Sequence, residues 1–288
     1  MNNKIGIMGG DLRIIRLAEI LAKEKNIVHI YGLEKKKFLN DYILVSNSVE
    51  ELCKNCDYII SGIPFSKNEE DIDAPFSERI IKIEETFNQL NDKTLITGAV
   101  GEKILKIAIK NNIKIIDLMK SESFTVLNVI PTIEGALQVA MQNTEFTIHD
   151  SKCLVLGFGR IGKLLCSKLN ALGANVSCMA RENRNLSWIK AMGYKDIAIN
   201  DLNSNLNDYD IIFNTIPAIV LKDEELKTIK RESSSAIIIE LASSPGGVDI
   251  QIAKKYDIKI IKAQGLPGKV APLTAAKYIK QTIDKILN

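Results

Sequence analysis

The feature that most constrains this chain is a pattern written twice. Residues 4 to 34, KIGIMGGDLRIIRLAEILAKEKNIVHIYGLE, align without a gap on residues 152 to 182, KCLVLGFGRIGKLLCSKLNALGANVSCMARE. Each stretch runs from a short apolar strand through a glycine turn into a helix with apolar residues three and four apart, then into a second β-rich strand. That is the order of a βαβ unit, and two of them imply an α/β protein with two Rossmann-like parallel-sheet domains and a cleft expected between them. At 288 residues the chain is long enough for both, and 46% hydrophobic with 25% charged residues suits a globular fold.

The two turns differ, and the difference assigns the work. Residues 157 to 162 carry all three glycines of GxGxxG: Gly157 for the tight turn, Gly159 for backbone approach to a pyrophosphate, and Gly162 for close packing of helix on strand. Phe158, Arg160 and Ile161 complete that turn. In the first half Gly9 matches Gly157, but Asp11 stands at the second glycine and Ile14 at the third. A carboxylate there repels pyrophosphate, so the first unit is expected to keep the architecture without the nucleotide.

An NAD-selective enzyme usually ends the second strand on Asp or Glu, which accepts from the ribose 2′-hydroxyl and repels a 2′-phosphate. Here that place falls to Ala180, followed by Arg181 with Arg184 nearby, so NADP is favoured over NAD; the alternative is two solvated arginines with Glu182 as the ribose ligand. Residues 209 to 217, 235 to 243 and 258 to 268 read as further buried parallel strands. Ligands of such sheets sit beyond the carboxyl ends of strands, which places Asn214, Thr215, Ile216, Pro217, Ser243 and Gly265 near the nicotinamide half of a cofactor, with turn chemistry as the alternative.

In the N-terminal half, strands are expected at about 4 to 8, 27 to 31, 57 to 61, 94 to 97 and 113 to 117. A long helix is expected to open at Pro131 and lead into the second domain, and the amphipathic closing segment to return to the first. The resulting division is 1–130 for the substrate domain, 131–150 for a linker helix, 151–268 for the cofactor domain and 269–288 for a returning C-terminal helix.

With 38 basic and 35 acidic residues spread along the chain, no nucleic-acid partner is expected. Asp11, Arg13 and Arg16 interrupt the N-terminus, and no run approaches the ~18 apolar residues of a membrane span, so neither export nor a membrane is expected and the cytoplasm is. The cysteines at 53, 56, 153, 166 and 178 read as reduced thiols. Cys53 and Cys56 form a CxxC without a second ligand pair, which reads as an ordinary helix end before a strand, and no metal site is expected. His29, inside a strand, and His149, at the turn before the cofactor strand, read as structural.

These motifs together resemble a known family, the A subunit of dipicolinate synthase. The likeness runs through MGGDLR (8–13), SGIPFS (61–66), DAPFSE (73–78), IPTIEGAL (130–137), GFGRIG (157–162), ELASSPGGVD (240–249) and GLPGKVAPLTAA (265–276), the last of which also looks like alanine dehydrogenase. The resemblance implies NAD(P)-dependent oxidation of a dihydrodipicolinate-type intermediate of the lysine pathway to dipicolinate. It also implies a partner, a flavoprotein-like B subunit, and a place in the cytoplasm of a sporulating mother cell; a homo-oligomer is expected too.

A dicarboxylate substrate calls for cations or convergent donors. Lys269 in LPGKVAP is the foremost candidate, followed by Arg13 at the first glycine turn, with Ser61 and Ser66 beside the GIPF turn as hydroxyl donors. Glu134, at the opening of the expected linker helix, is the candidate proton acceptor, and Lys269 its catalytic companion. Solvated surface charges and an ordinary first-turn glutamate are the alternatives. The other functions weighed are an oxidoreductase of the alanine dehydrogenase or 2-hydroxy-acid type, and a non-catalytic nucleotide-binding regulatory protein. The absence of a suitably placed histidine counts against the hydroxy-acid reading.

Overall fold

The computed structural model describes residues 4–90, 92–232 and 235–287, and the chain divides into two compact units. One takes in the chain through Asn128 and again from Pro267; the other is Val129–Leu266. In the first unit β1 (Lys4–Met8), α1 (Leu12–Lys23), β2 (Ile27–Tyr31), β3 (Ile43–Val45), α2 (Val49–Asn55), β4 (Tyr58–Ser61), α3 (Ile83–Gln89), β5 (Thr94–Thr97), α4 (Glu102–Lys110) and β6 (Lys114–Asp117) follow one another. Helix α5 (Glu122–Asn143) then carries the chain into the second unit. That unit contains β7 (Lys152–Leu156), α6 (Arg160–Ala171), β8 (Asn175–Ala180), α7 (Asn183–Ala191), β9 (Lys195–Ala198), β10 (Ile211–Asn214), α8 (Asp223–Glu232), β11 (Ile237–Glu240), α9 (Ile250–Lys255) and β12 (Lys259–Lys262). Helices α10 (Leu266–Val270) and α11 (Pro272–Leu287) close the chain.

Both sheets are parallel and six-stranded, with orders β3-β2-β1-β4-β5-β6 and β12-β11-β10-β7-β8-β9. The second order is the first read from the other edge, so the duplicated sequence folds into duplicated topology. In each sheet the first strand lies between its second and fourth, which makes β1/β4 and β7/β10 the switch points where open α/β sheets hold ligands.

The central strands β1, β4 and β5 of the first unit are buried on both faces, which is why they read as near-continuous apolar runs. Ile5, Ile7, Val28, Ile30 and Ile60 belong to the core on one side of the sheet, and Met8, Ile59 and Leu95 to the core on the other. Helix α1 buries Ile14, Leu17, Ala18 and Leu21 and turns Arg16 and Glu19 to solvent, where they pair at 2.7 Å. Helix α11 packs on α1 through Ala275, Ala276, Ile279 and Ile283, with Lys280 Nζ 3.1 Å from Glu24 Oε2. Burial of each isoleucine is worth about 1.5–3 kcal/mol, so the closing helix is held by apolar contact and its ion pair is secondary. The C-terminal segment thus returns to the N-terminal unit.

Four local features differ from the sequence reading. Helix α5 begins at Glu122, so Pro131 lies inside it and not in its first turn. The start signal is Ser121, whose Oγ accepts from Phe124 N at 3.4 Å, and burial of Phe124 and Val129 on the N-terminal side of the proline outweighs one missing hydrogen bond. Edge strands β3 and β9 are too short and too exposed to carry a period. Strand β12 is likewise an edge, with Lys259 and Lys262 exposed, and is not the buried strand expected at 258 to 268. Finally, α5 has the length and mean hydropathy of a membrane span, but half of its apolar window is buried inside the protein, as in a core helix.

Candidate functional site

The glycine turn of the second unit can be tested position by position. Gly157 has φ +100°, and a Cβ there would lie 2.6 Å from Thr215 Oγ1 and 2.8 Å from Ile216 Cγ1. Its N–H donates to Met179 O at 3.0 Å, tying the turn to β8. At Gly162 a Cβ would lie 1.9 Å from Gly157 O, so only glycine lets α6 settle on its own turn. Gly159 is the opposite case: a Cβ there would meet nothing within 4 Å. It is the N-cap of α6 and supplies no side chain, so the first amides of the helix face open space. A pyrophosphate fits this cradle: room for its oxygens beside Gly159 and the positive end of a 12-residue helix. Phe158 is buried beneath Lys163, whose Nζ lies 5.4 Å from the ring centroid; Arg160 is exposed and Ile161 half-buried.

Strand β8 ends at buried Ala180, so the last position of the strand carries no carboxylate. Arg181 follows, exposed and without an ionic or hydrogen-bonded partner among the described residues. Glu182 is engaged by Arg184, Nε to Oε2 2.6 Å, on the exposed first turn of α7. The arrangement leaves Arg181 as the uncommitted cation and partly balances Arg184.

At the ends of β10 and β11 the chain builds a buried polar knot. Asn214 and Glu240 face each other in register and are 0% and 3% exposed. Asn214 Nδ2 donates to Glu240 Oε1 at 2.7 Å and to Ile216 O at 3.0 Å, while Ile216 N donates back to Asn214 Oδ1 at 3.2 Å. Glu240 further accepts from Ala242 N at 3.0 Å and Gly247 N at 2.9 Å. A Cβ on Gly247 would overlap the Asn214 amide at 2.3 Å, so the double glycine lets the 241–249 loop close over this pair. Asn214, expected as a cofactor contact, therefore shapes the loops from below. Thr215 also turns inward, with Oγ1 donating to Leu156 O at 2.8 Å, and Ile216 is half-buried. Pro217, Ser243 and Gly265 are exposed. Glu240 escaped the sequence reading because it sits in an otherwise apolar strand; its signal was a carboxylate at the last position of that strand, followed by the double glycine at 246–247.

The first unit fills its corresponding turn itself. Asp11 is the N-cap of α1 and its Oδ1 accepts from Arg13 N at 3.0 Å. Arg13 Nε reaches both carboxylate oxygens, at 3.0 and 3.1 Å, Nη2 reaches Oδ2 at 2.8 Å, and Nη2 also donates to Ile63 O. A Cβ on Gly268 would lie 2.3 Å from Asp11 Oδ2, so the closing segment covers the pair. The place of a phosphate at the head of α1 is taken by the protein's own carboxylate.

Several expected substrate residues are committed elsewhere. Arg13 is only 4% exposed, and its fork is turned onto Asp11 and Ile63. Ser61 is 1% exposed and donates to Met8 O at 2.7 Å, so its proton is spent within the sheet. Ser66 is half-buried and organises its own loop, donating to Asn68 Oδ1 at 3.2 Å and accepting from Glu69 N at 2.9 Å. Lys269 is exposed on α10, a short helix of its own before the last one. Glu134 is exposed midway along α5, so it neither opens that helix nor sits in its first turn, contrary to the sequence expectation.

His29 lies in β2, its pKa lowered by burial and then by Lys4. His149 lies in the loop leading to β7, at the opposite end of the second sheet from the glycine turn. Cys53 lies in the last turn of α2 and Cys56 caps it; burial raises the Cys53 thiol and pushes Cys56 up to about 12, so this CxxC offers no thiolate.

Comparison with known proteins adds several likenesses. A family model described as the N-terminal domain of the dipicolinate synthase A subunit matches residues 4–119, and one described as shikimate / quinate 5-dehydrogenase matches residues 138–266. The chain is 31% identical over 286 residues to the dipicolinate synthase A subunit of Bacillus subtilis (strain 168), covering 99% of this chain and 95% of that protein. The crystal structure of the dipicolinate synthase A subunit from Bacillus halodurans matches with TM-score 0.88 and 31% identity, over 100% of this chain and 98% of that one. A transhydrogenase from Sinorhizobium meliloti, 14% identical with TM-score 0.65 over 98% of this chain and 93% of that one, shares the fold.

Proposed function

The chain belongs to the family of dipicolinate synthase A subunits, and from that premise we propose that it oxidises a dihydrodipicolinate-type dicarboxylate of the lysine pathway to dipicolinate with a nicotinamide dinucleotide, NADP before NAD. Its fold is that of NAD(P)-dependent dehydrogenases. The observation that carries the redox reading is the turn at 157–162, open at Gly159 and closed to any side chain at Gly157 and Gly162. Gly157 to Gly162 hold the pyrophosphate, Arg181 meets the 2′-phosphate, and Pro217, Ser243 and Gly265 stand toward the nicotinamide end. The bound cofactor supplies the hydride acceptor.

Loss of one hydride and one proton turns the dihydropyridine ring into an aromatic pyridine. Aromatisation is favourable, so the protein's part is orientation and one modest proton acceptor. Glu134, exposed on α5, is the carboxylate assigned to take the proton, and Lys269 the cation assigned to a substrate carboxylate. The proposal extends to partnership with a flavoprotein-like B subunit, to a homo-oligomeric assembly and to action in the mother-cell cytoplasm of a sporulating bacterium.

The test is NADP reduction on freshly generated dihydrodipicolinate, followed by absorbance, with this chain alone and then with the B subunit. Dipicolinate formed in step with NADPH supports the reading, and dependence on the partner tells whether this chain holds a complete site. Cofactor binding without turnover in either mixture refutes it; turnover of pyruvate with ammonia, or of a hydroxy acid, would replace it.

A further inference from the structure

The first unit contains an ion pair that the redox chemistry does not use, with the Arg13 side chain 5% and the Asp11 side chain 27% exposed. Replacing a pair with a buried member by apolar residues is often neutral or stabilising, because desolvating the buried charge, here the Arg13 guanidinium, takes back much of the attraction. Stability is therefore a weak account of Asp11 and Arg13, and their contacts suggest another. Arg13 joins three segments that are far apart in sequence: the first glycine turn through Asp11, the loop after β4 through Ile63 O, and the α10 segment through Gly268, where a Cβ would lie 2.3 Å from Asp11 Oδ2 and 3.2 Å from Arg13 Nε. All three meet at the carboxyl ends of β1 and β4, the switch point of the first sheet. A Cβ on Gly62 would lie 3.0 Å from Gly10 Cα, so the two turns close against each other.

We infer that the Asp11–Arg13 pair is a positioning device: it seats residues 268 and 269 over the switch point of the first sheet, so that Lys269, and not Arg13, meets a carboxylate of the substrate. Asp11 neutralises Arg13 within the protein, and the pair has no net charge to offer an anion. The cation one residue beyond the Gly268 contact is Lys269, which is exposed. Arg13 suits the positioning part because its planar fork spans a carboxylate and a carbonyl together, which the single ammonium of a lysine does not reproduce. This inference rests on the dicarboxylate reading proposed above.

The test is titration calorimetry of the full chain with pyridine-2,6-dicarboxylate as probe, on the wild type, Lys269→Met, Arg13→Lys and the double variant, with NADP titrated alongside. Lys269→Met is expected to weaken the dicarboxylate about tenfold or more and Arg13→Lys by a smaller factor, with the double variant no worse than Lys269→Met alone and NADP affinity unchanged throughout. Losses that multiply in the double variant would place Arg13 on the ligand itself and overturn the inference, as would wild-type affinity in Lys269→Met. Gly268→Ala disturbs the same contact from the other side; if Arg13→Lys does not fold, it replaces that variant in the comparison with the same expectations. A wild-type chain that binds NADP but no dicarboxylate would instead refute the substrate reading, and this inference with it, before any variant is compared.

Discussion

Gly159→Ala separates cofactor binding from folding. Its Cβ meets nothing within 4 Å, and its φ of −80° is open to any residue, so the free protein has little to lose. Alanine is a poorer N-cap than glycine by roughly 0.5–1 kcal/mol, while stiffening the unfolded chain returns about 0.4–1 kcal/mol. The net effect on stability without nucleotide is expected to be near zero. With nucleotide the methyl occupies the space the pyrophosphate needs, and losing one amide bond to a charged oxygen costs roughly 1.5–3 kcal/mol, or about ten- to a hundredfold in Kd. NADP at about 100 times its wild-type Kd stabilises by ~2.7 kcal/mol, and a thirtyfold weaker site keeps under ~1 kcal/mol of that. The variant should therefore unfold at the wild-type temperature alone and roughly 4–8 °C below the wild type with NADP present. Differential scanning calorimetry with and without NADP checks both halves. A Gly159→Ala protein that NADP stabilises as fully as the wild type would refute the cradle. The control is Gly162→Ala, whose Cβ falls 1.9 Å from Gly157 O and should destabilise even the free protein by about 1–3 kcal/mol or more.

Arg181→Ala should weaken NADP about tenfold or more and leave NAD nearly unchanged, because only the 2′-phosphate offers the guanidinium a charged partner; equal losses in paired titrations would sink the phosphate assignment. Glu240→Gln puts an amide where Oε1 or Oε2 now accepts N–H donors, and should cost about 1–3 kcal/mol in urea denaturation; an unchanged midpoint would mean that the knot does not hold the 241–249 loop. His29 has its pKa lowered in the folded state, so the unfolded chain takes up the proton first as pH falls. Stability should decline as pH drops through the ordinary histidine range toward that lowered value, and His29→Gln should flatten this part of the stability–pH curve.

The legible part of this fold was whatever repeats with a period. β1 and β7 with their glycine turns, the apolar rows of α1 and α6 and the central strands declare themselves because each residue's burial is set by its own element. The start of α5 did not, since Pro131 is a strong local stop signal and only the packing of Phe124 and Val129 overrides it. Strands β3 and β9 exist because a neighbour offers hydrogen-bonding partners, and their own residues carry too short a record. The glycine turn of the second unit was readable at Gly157 and Gly162, for their roles are steric and local. The substrate side was harder: whether Arg13 points at a ligand or at Asp11, and whether Ser61 keeps its proton free, depends on atoms brought close by the sheet. Glu240 lay hidden for the same reason, as its donors come from two stretches of chain, the end of β10 and the 241–249 loop.

The carboxylate of Asp11 at the head of α1 also divides the two halves in the cell. The first unit carries a built-in anion there, whereas the second leaves its matching place open, so that a nucleotide bound as proposed above would add up to a few kcal/mol of stability to that half. Starvation for nicotinamide nucleotide would then fall on one half of the polypeptide.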